Sequence, residues 1–163
     1  MPSALVLTVS DGVAGGTRED ESGAALAARL TELGYDCRRA VVPDELEQIA
    51  VAAAGAAAGH SLVVATGGTG LGPRDVTPQA LRALLDYEIP GFGEVMRAGG
   101  RASTPMADLS RSLAGVLGRT LVVAVPGSRR GALESLAAIE PLLEHALETL
   151  GGRTEHGTST EGS

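Results

Sequence analysis

Two aspartates stand where carboxylates can serve phosphate chemistry: Asp44 in Val42-Pro-Asp-Glu45 and Asp75 in Arg74-Asp-Val-Thr-Pro78. Just ahead of the second lies a glycine-rich run, with four glycines in the six positions from Gly67 to Gly72. Glycine has no Cβ, so backbone amides there can approach a phosphate closely. A helix expected to begin near Thr77-Pro78 directs unpaired N–H groups and its positive dipole end toward the same place. Asp75 adds a carboxylate able to hold a metal that escorts phosphates. Together these residues read as a site for a nucleotide or another phosphorylated ligand. The plainer reading, a turn that only reverses the chain, needs fewer glycines.

The loop is neither of the familiar nucleotide motifs. Its glycine spacing differs from the dinucleotide fingerprint, and Pro73-Arg74-Asp75 intrudes before the helix; it also lacks the Gly-Lys-Ser/Thr of a Walker A loop. Asp44 has two open readings, as a metal-holding carboxylate or as the N-cap of a helix, with Glu47 completing a capping-box pattern. Asp75 is less easily explained by capping, since Thr77 can cap its helix with Pro78 at the first position; a surface ion pair with Arg74 is the alternative. Ser10 and Asp11 either end a strand or face a ligand. Ser110 and Arg111 are loop residues or, in the case of Arg111, an anion contact. His60, His145 and His156 share no metal-ligand spacing, and Glu19-Asp20-Glu21 reads as a solvated loop.

The segments that carry these residues alternate in type. Ala4 to Val9 is a continuous apolar run, as a central strand requires. Gly15 to Glu21 is expected as a mobile loop. A helix is expected from Ser22, with Leu26, Leu30 and Leu33 on one face and Gly34 as its stop. Tyr35 to Val42 forms a second strand, and a second helix runs from about Asp44 through Ala58. Ser61 to Thr66 is the third strand. After the glycine loop come a short helix from Pro78 to about Leu85 and a helical second half of Ile89 to Arg97. Ser110–Leu117 and Thr120–Val125 form antiparallel strands around Gly118-Arg119. The last helix, from Ser128, carries an apolar stripe including Leu136, Ile139 and Leu143, with Pro141 kinking or dividing it. A single domain over residues 1–150 is then followed by a disordered tail over 151–163. This order describes an α/β sheet with helices on both faces, whose ligands gather at the carboxyl ends of parallel strands. Ser10-Asp11, Asp44 and the glycine loop occupy such ends; Gly127-Ser128 joins them if the last strand is parallel.

Composition excludes several functions. The net charge of −7 and the scarcity of aromatics, Tyr35, Tyr87 and Phe92 alone, disfavour nucleic acid as a partner. All 13 basic residues are arginines, which removes chemistry that needs an active-site lysine. The single Cys37 excludes an internal disulfide and reads as a half-buried strand residue. No apolar run is long enough to span a bilayer and no leader is recognisable, so no membrane partner and a cytoplasmic location are expected.

Several segments together resemble the MogA/MoaB family of molybdenum-cofactor biosynthesis proteins, which includes the G domain of gephyrin. The matching pieces are Thr8-Val-Ser-Asp11, Val42-Pro-Asp-Glu45, Thr66-Gly-Gly-Thr-Gly70, Arg74-Asp-Val-Thr-Pro78, Ile89-Pro-Gly-Phe-Gly-Glu94, Leu109-Ser-Arg111 and Pro126-Gly-Ser128. They cover residues 4–150 in the family's order. The resemblance implies a three-layer α/β/α sandwich with a mostly parallel mixed sheet, assembled as a homotrimer. It implies Mg-ATP-dependent adenylylation of molybdopterin, giving adenylyl-molybdopterin and pyrophosphate, with a molybdenum insertase as partner. Asp44 and Asp75 would then be catalytic and hold Mg²⁺. Substrate or nucleotide would contact Ser10, Asp11, Gly67, Gly68, Thr69, Gly70, Arg74, Ser110, Arg111, Gly127 and Ser128. One departure is Ser128-Arg129-Arg130-Gly131, where many relatives have a proline or a glycine pair; the arginines bind the pterin phosphate or pyrophosphate, or are simply exposed. The long insertion of some MogA members is absent, as in compact MoaB-like chains, some of which lack the activity. The alternatives are a non-catalytic trimeric molybdopterin-binding protein and a CinA-like nucleotide pyrophosphatase.

Overall fold

Aliphatic strands alternating with amphipathic helices build one mixed sheet between two helical layers. The structure, a computed structural model, describes residues 1–152. Four strands, β1 (Ser3–Val9), β2 (Asp36–Val42), β3 (Leu62–Thr66) and β6 (Thr120–Val125), are mutually parallel. β5 (Leu113–Leu117) and β4 (Tyr87–Glu88) complete the sheet antiparallel to their neighbours, in the order β2-β1-β3-β6-β5-β4. Six helices connect them: α1 (Asp11–Ala14), α2 (Glu21–Glu32), α3 (Leu46–Gly59), α4 (Thr77–Arg82), α5 (Pro90–Arg101) and α6 (Arg129–Leu150).

The central strands β3 and β6 are buried at every position and almost wholly apolar because both faces are covered. Successive side chains point to opposite faces, so β3 sends Leu62 and Val64 into one core and Val63 and Ala65 into the other. The first core is closed by Leu26 and Leu30 of α2, Phe92 and Met96 of α5, and Leu136 and Ile139 of α6. The second is closed by Ile49 and Ala53 of α3 and Leu81 of α4. This is the three-layer α/β/α arrangement expected above.

Register decides where the functional residues emerge. Val9 stands opposite Val42, Thr8 opposite Thr66, and Thr66 opposite Val125, so the four parallel strands end nearly level. Ser10, Pro43-Asp44, Gly67 and Pro126-Gly127 therefore leave the sheet along one edge. The last strand is parallel, which brings the fourth segment to the others.

Several local expectations change. A short helix, α1, precedes the expected loop, which is non-helical from Gly15 to Asp20, and α2 begins one residue early, at Glu21, because Asp20 caps it, accepting from Gly23 N at 3.0 Å. Leu33 is not on the buried face; it is the exposed C-cap residue of α2. Residues 110–112 are not strand, since Arg97 Nη1 donates to Ser112 O at 2.9 Å. α5 is helical from Pro90 on, and a 3-10 segment at Pro105–Leu109 and the two-residue β4 have no counterpart in the reading above. Pro141 lies within α6 without dividing it. The tail assigned to 151–163 lies, from 153 on, outside the described residues.

Candidate active site

The tips of β1 and β2 are tied by a reciprocal pair. Asp11 N donates to Asp44 Oδ2 at 2.8 Å, and Asp44 N donates to Asp11 Oδ1 at 3.0 Å. Asp44 is therefore not a helix cap: Glu45 occupies the N-cap of α3 and makes no side-chain cap bond. The level strand ends put the free Asp11 amide closer to hand than the helix amides. Asp44 Oδ1 is left without a hydrogen bond among the described residues.

Arg74 is not paired with Asp75. Its Nε donates to Asp11 Oδ2 at 2.8 Å and its Nη2 to Glu45 Oε1 at 2.9 Å. The ligand-contact expectation for Arg74 and Asp11 thus meets a cation already held by two carboxylates, and neither residue lines the cavities described next. Arg74's hydrogen bonds hold the Asp11 carboxyl below the usual carboxylate range.

The glycine loop follows β3 with positive φ at Gly67 (108°) and Gly68 (67°), a region costly for other residues. It is anchored at Gly67, whose N–H donates to Val125 O at 3.1 Å. Asp75 closes the loop, with Gly72 N donating to Asp75 Oδ2 at 2.8 Å and Asp75 N donating to Gly72 O at 3.0 Å. The other Asp75 oxygen accepts no hydrogen bond among the described residues. Thr77 does not cap α4 as expected: the N-cap is Val76, and Thr77 Oγ1 is buried with no partner among the described residues.

Two cavities flank the loop. A polar one, about 670 Å³, is lined by Ser10, Asp44, Gly67, Gly68, Asp75 and Ser128, among others. The second, about 680 Å³, takes Thr69, Gly70 and Ser110 from the loops and an apolar wall from Met96, Met106 and Leu109. Gly68, Asp75, Gly127 and Ser128 border both. Ser10 and Ser128 also cap helices, accepting from Val13 N and Gly131 N. Arg111 borders neither cavity; its donors turn to the back of the loop. Of the two unassigned arginines, Arg130 pairs with Glu134, whereas Arg129 lines the polar cavity together with Arg18. Arg18 and the Met96–Met106–Leu109 wall had no sequence signal, because loop and helix spacing do not reveal which cavity a side chain meets.

Burial raises the Asp44 pKa, and the charges of Asp11 and Asp75 push it further up, against the Asp11 amide and Arg74. A carboxylate in that position favours a cation. Its free Oδ1 and the orphaned Thr77 Oγ1 both lie on the side of Gly68 where a Cβ would stand. Such oxygen donors suit Mg²⁺, which uses one or two carboxylates and completes its shell with water and substrate phosphates.

The raised pKa has a consequence for the ligand-free protein. Asp44 binds its proton more tightly folded than unfolded, so its charge opposes folding above the raised value, and that penalty disappears below 3.8. Asp44→Asn keeps an oxygen for the Asp11 amide and is expected to raise the melting temperature near neutral pH. The gain is small, about 2 °C, because solvent screens a partly open site. It should shrink as pH falls toward 3.8; thermal melts across pH that show the opposite trend would contradict the electrostatic account.

Comparison with known proteins relates the chain to a family. Residues 5–145 match the family described as "Probable molybdopterin binding domain". The chain is 46% identical over 158 residues to a molybdenum cofactor biosynthesis bifunctional protein of Synechococcus elongatus, covering 95% of this chain and 49% of that protein. It thus spans about half the length of the first curated relatives it matches. It is 34% identical to a molybdopterin adenylyltransferase of Helicobacter pylori, covering 90% of this chain and 86% of that protein. Among solved structures, the molybdopterin biosynthesis enzyme MoaB from Thermus thermophilus superposes with a TM-score of 0.84 at 45% identity, covering 93% of this chain and 98% of that one.

Proposed function

This chain belongs to the molybdopterin binding domain family, and from that premise we propose that it adenylylates molybdopterin with Mg-ATP and releases pyrophosphate. The observation that carries the reading is the meeting of Asp44 and Asp75, from separate strand tips, around one polar cavity beside the glycine loop. Curated relatives of similar length bear the name of that activity.

The reaction joins two anions, a terminal phosphate and the α-phosphate of a nucleotide. Unit charges 4 Å apart repel by about 4 kcal/mol at an intermediate effective dielectric. Asp44 and Asp75 would hold the divalent cation, which when bound neutralises charge on the phosphate oxygens. The amides of Gly68, Thr69 and Gly70 carry no hydrogen bond among the described residues and are available to phosphate oxygens. Thr69, buried beside them, lines the apolar-walled cavity and brings a hydroxyl. The nucleophilic phosphate is already ionised near neutral pH, so alignment and charge placement, not a strong base, supply the rate. Because a proton competes with the cation at Asp44, nucleotide affinity in the presence of Mg²⁺ should weaken as pH falls through its raised pKa.

The same reading takes residues 1–150 as one domain and includes a homotrimer, a cytoplasmic location and delivery of product to a molybdenum insertase; these rest on family resemblance. No helix among the described residues is long and apolar enough to cross a membrane. The deciding experiment incubates purified protein with Mg-ATP, with and without molybdopterin, and follows pyrophosphate. Release that depends on the pterin is the expected result. Tight pterin binding without release selects a non-catalytic binding protein, and metal-dependent hydrolysis without pterin selects a nucleotide pyrophosphatase.

A further inference from the structure

Arg111 sits behind the glycine loop and spends its donors on that loop's carbonyls. Its backbone N–H donates to Thr69 O at 2.9 Å. Nε and Nη2 donate to Gly70 O at 3.0 and 2.8 Å, and Nη2 also donates to Asp75 O at 2.7 Å. Nη1 donates to Gln79 Oε1 at 3.2 Å. Among the described residues Arg111 has no carboxylate partner, although arginines of this chain commonly do. The partly buried guanidinium instead joins the middle of the loop, its end and helix α4 in one clasp.

The planar trans peptide converts that clasp into a statement about the other side of the loop. A carbonyl and the N–H that follows it point in opposite directions. Holding Thr69 O and Gly70 O toward Arg111 turns Gly70 N–H and Leu71 N–H away from it. Gly70 and Leu71 line the apolar-walled cavity, and neither N–H is hydrogen-bonded among the described residues. Without the guanidinium, the Gly70–Leu71 peptide of a flexible glycine loop is free to rotate and present its carbonyl, which repels anions.

We infer that Arg111 is a positioning residue for a phosphate ligand: it orients the loop amides toward the cavity and fixes the backbone of Asp75, without touching the ligand. A five-donor planar fork is needed to reach Gly70 O, Asp75 O and Gln79 Oε1 at once, and lysine cannot reproduce it. The inference rests on the proposed function, in which the ligand is the nucleotide phosphate chain.

The test measures Mg-ATP affinity by calorimetry for wild type, Arg111→Lys and Arg111→Ala, with circular dichroism and melting as fold controls. Arg111→Lys is expected to stay folded and bind about 10- to 100-fold more weakly, the usual cost of losing a supporting residue. Arg111→Ala is expected to lose at least as much and to recover part of it in millimolar guanidinium, but not in equal sodium chloride. If Arg111→Ala fails to fold, Arg111→Lys decides alone. Folded variants that bind Mg-ATP as wild type does, even with lowered melting temperatures, overturn the positioning role while leaving the functional reading intact. Wild type that does not bind Mg-ATP overturns the functional reading itself and the inference with it.

Discussion

Asp75→Asn is expected to leave the protein folded and to lower pterin-dependent pyrophosphate release by about a hundredfold to a thousandfold. Folding survives because asparagine retains an oxygen to accept from Gly72 N, the contact Asp75 Oδ2 makes at 2.8 Å. The backbone restraints are also unaffected: Asp75 N still donates to Gly72 O, and Asp75 O still accepts from Arg111 Nη2. What disappears is one full negative charge facing both cavities, opposite Asp44. In the proposed mechanism its loss weakens the grip on a cation where two reacting anions must be brought together. The measurement is steady-state pyrophosphate release beside a thermal melt. Normal turnover from a variant that melts with the wild type removes Asp75 from the mechanism.

Gly67→Ala has the largest expected effect on the fold. Gly67 follows the last residue of β3 at φ 108°, and a Cβ there would run into the carbonyl oxygen of Val9 on the neighbouring strand. Backbone cannot yield as a side-chain tip can. Its N–H is held by Val125 O, so the residue is fixed between β1 and β6. Strain and collision together are expected to cost about 3 kcal/mol, a fall of about 6–12 °C in melting temperature for a chain of this length. Gly34→Ala is the matched control: φ is 97°, yet nothing lies within 4 Å of the added Cβ. It should cost only about 1–2 kcal/mol, from backbone conformation alone. Equal losses at the two glycines would show that close strand packing plays no part at Gly67.

The glycine loop, Asp44 and Asp75, which meet at one cavity, were legible as candidates because phosphate-binding chemistry draws on residue types and short-range order. The roles of the arginines were not. Arg74 stands next to Asp75 in the chain, yet its side chain reaches Asp11 and Glu45, at the starts of α1 and α3. Arg111 has the type of an anion contact, but its surroundings are carbonyl oxygens. Long flexible side chains choose partners in space, and sequence distance says little about which ones.

Strands, helices and their order followed from the apolar runs and turn residues, since alternation and helical periodicity are local properties that survive without tertiary context. The same local patterns made Asp44 resemble a helix cap and Thr77 another. For Asp44, only the parallel register of β1, β2, β3 and β6 decided otherwise, by ending four strands at one level. That alignment sets the Asp11 amide against the Asp44 carboxylate, leaves Asp44 Oδ1 uncommitted, and places Asp75 across the same cavity. Which unpaired donor lies nearest to a carboxylate depends on how strands align across the sheet, and no spacing along a single chain encodes that distance.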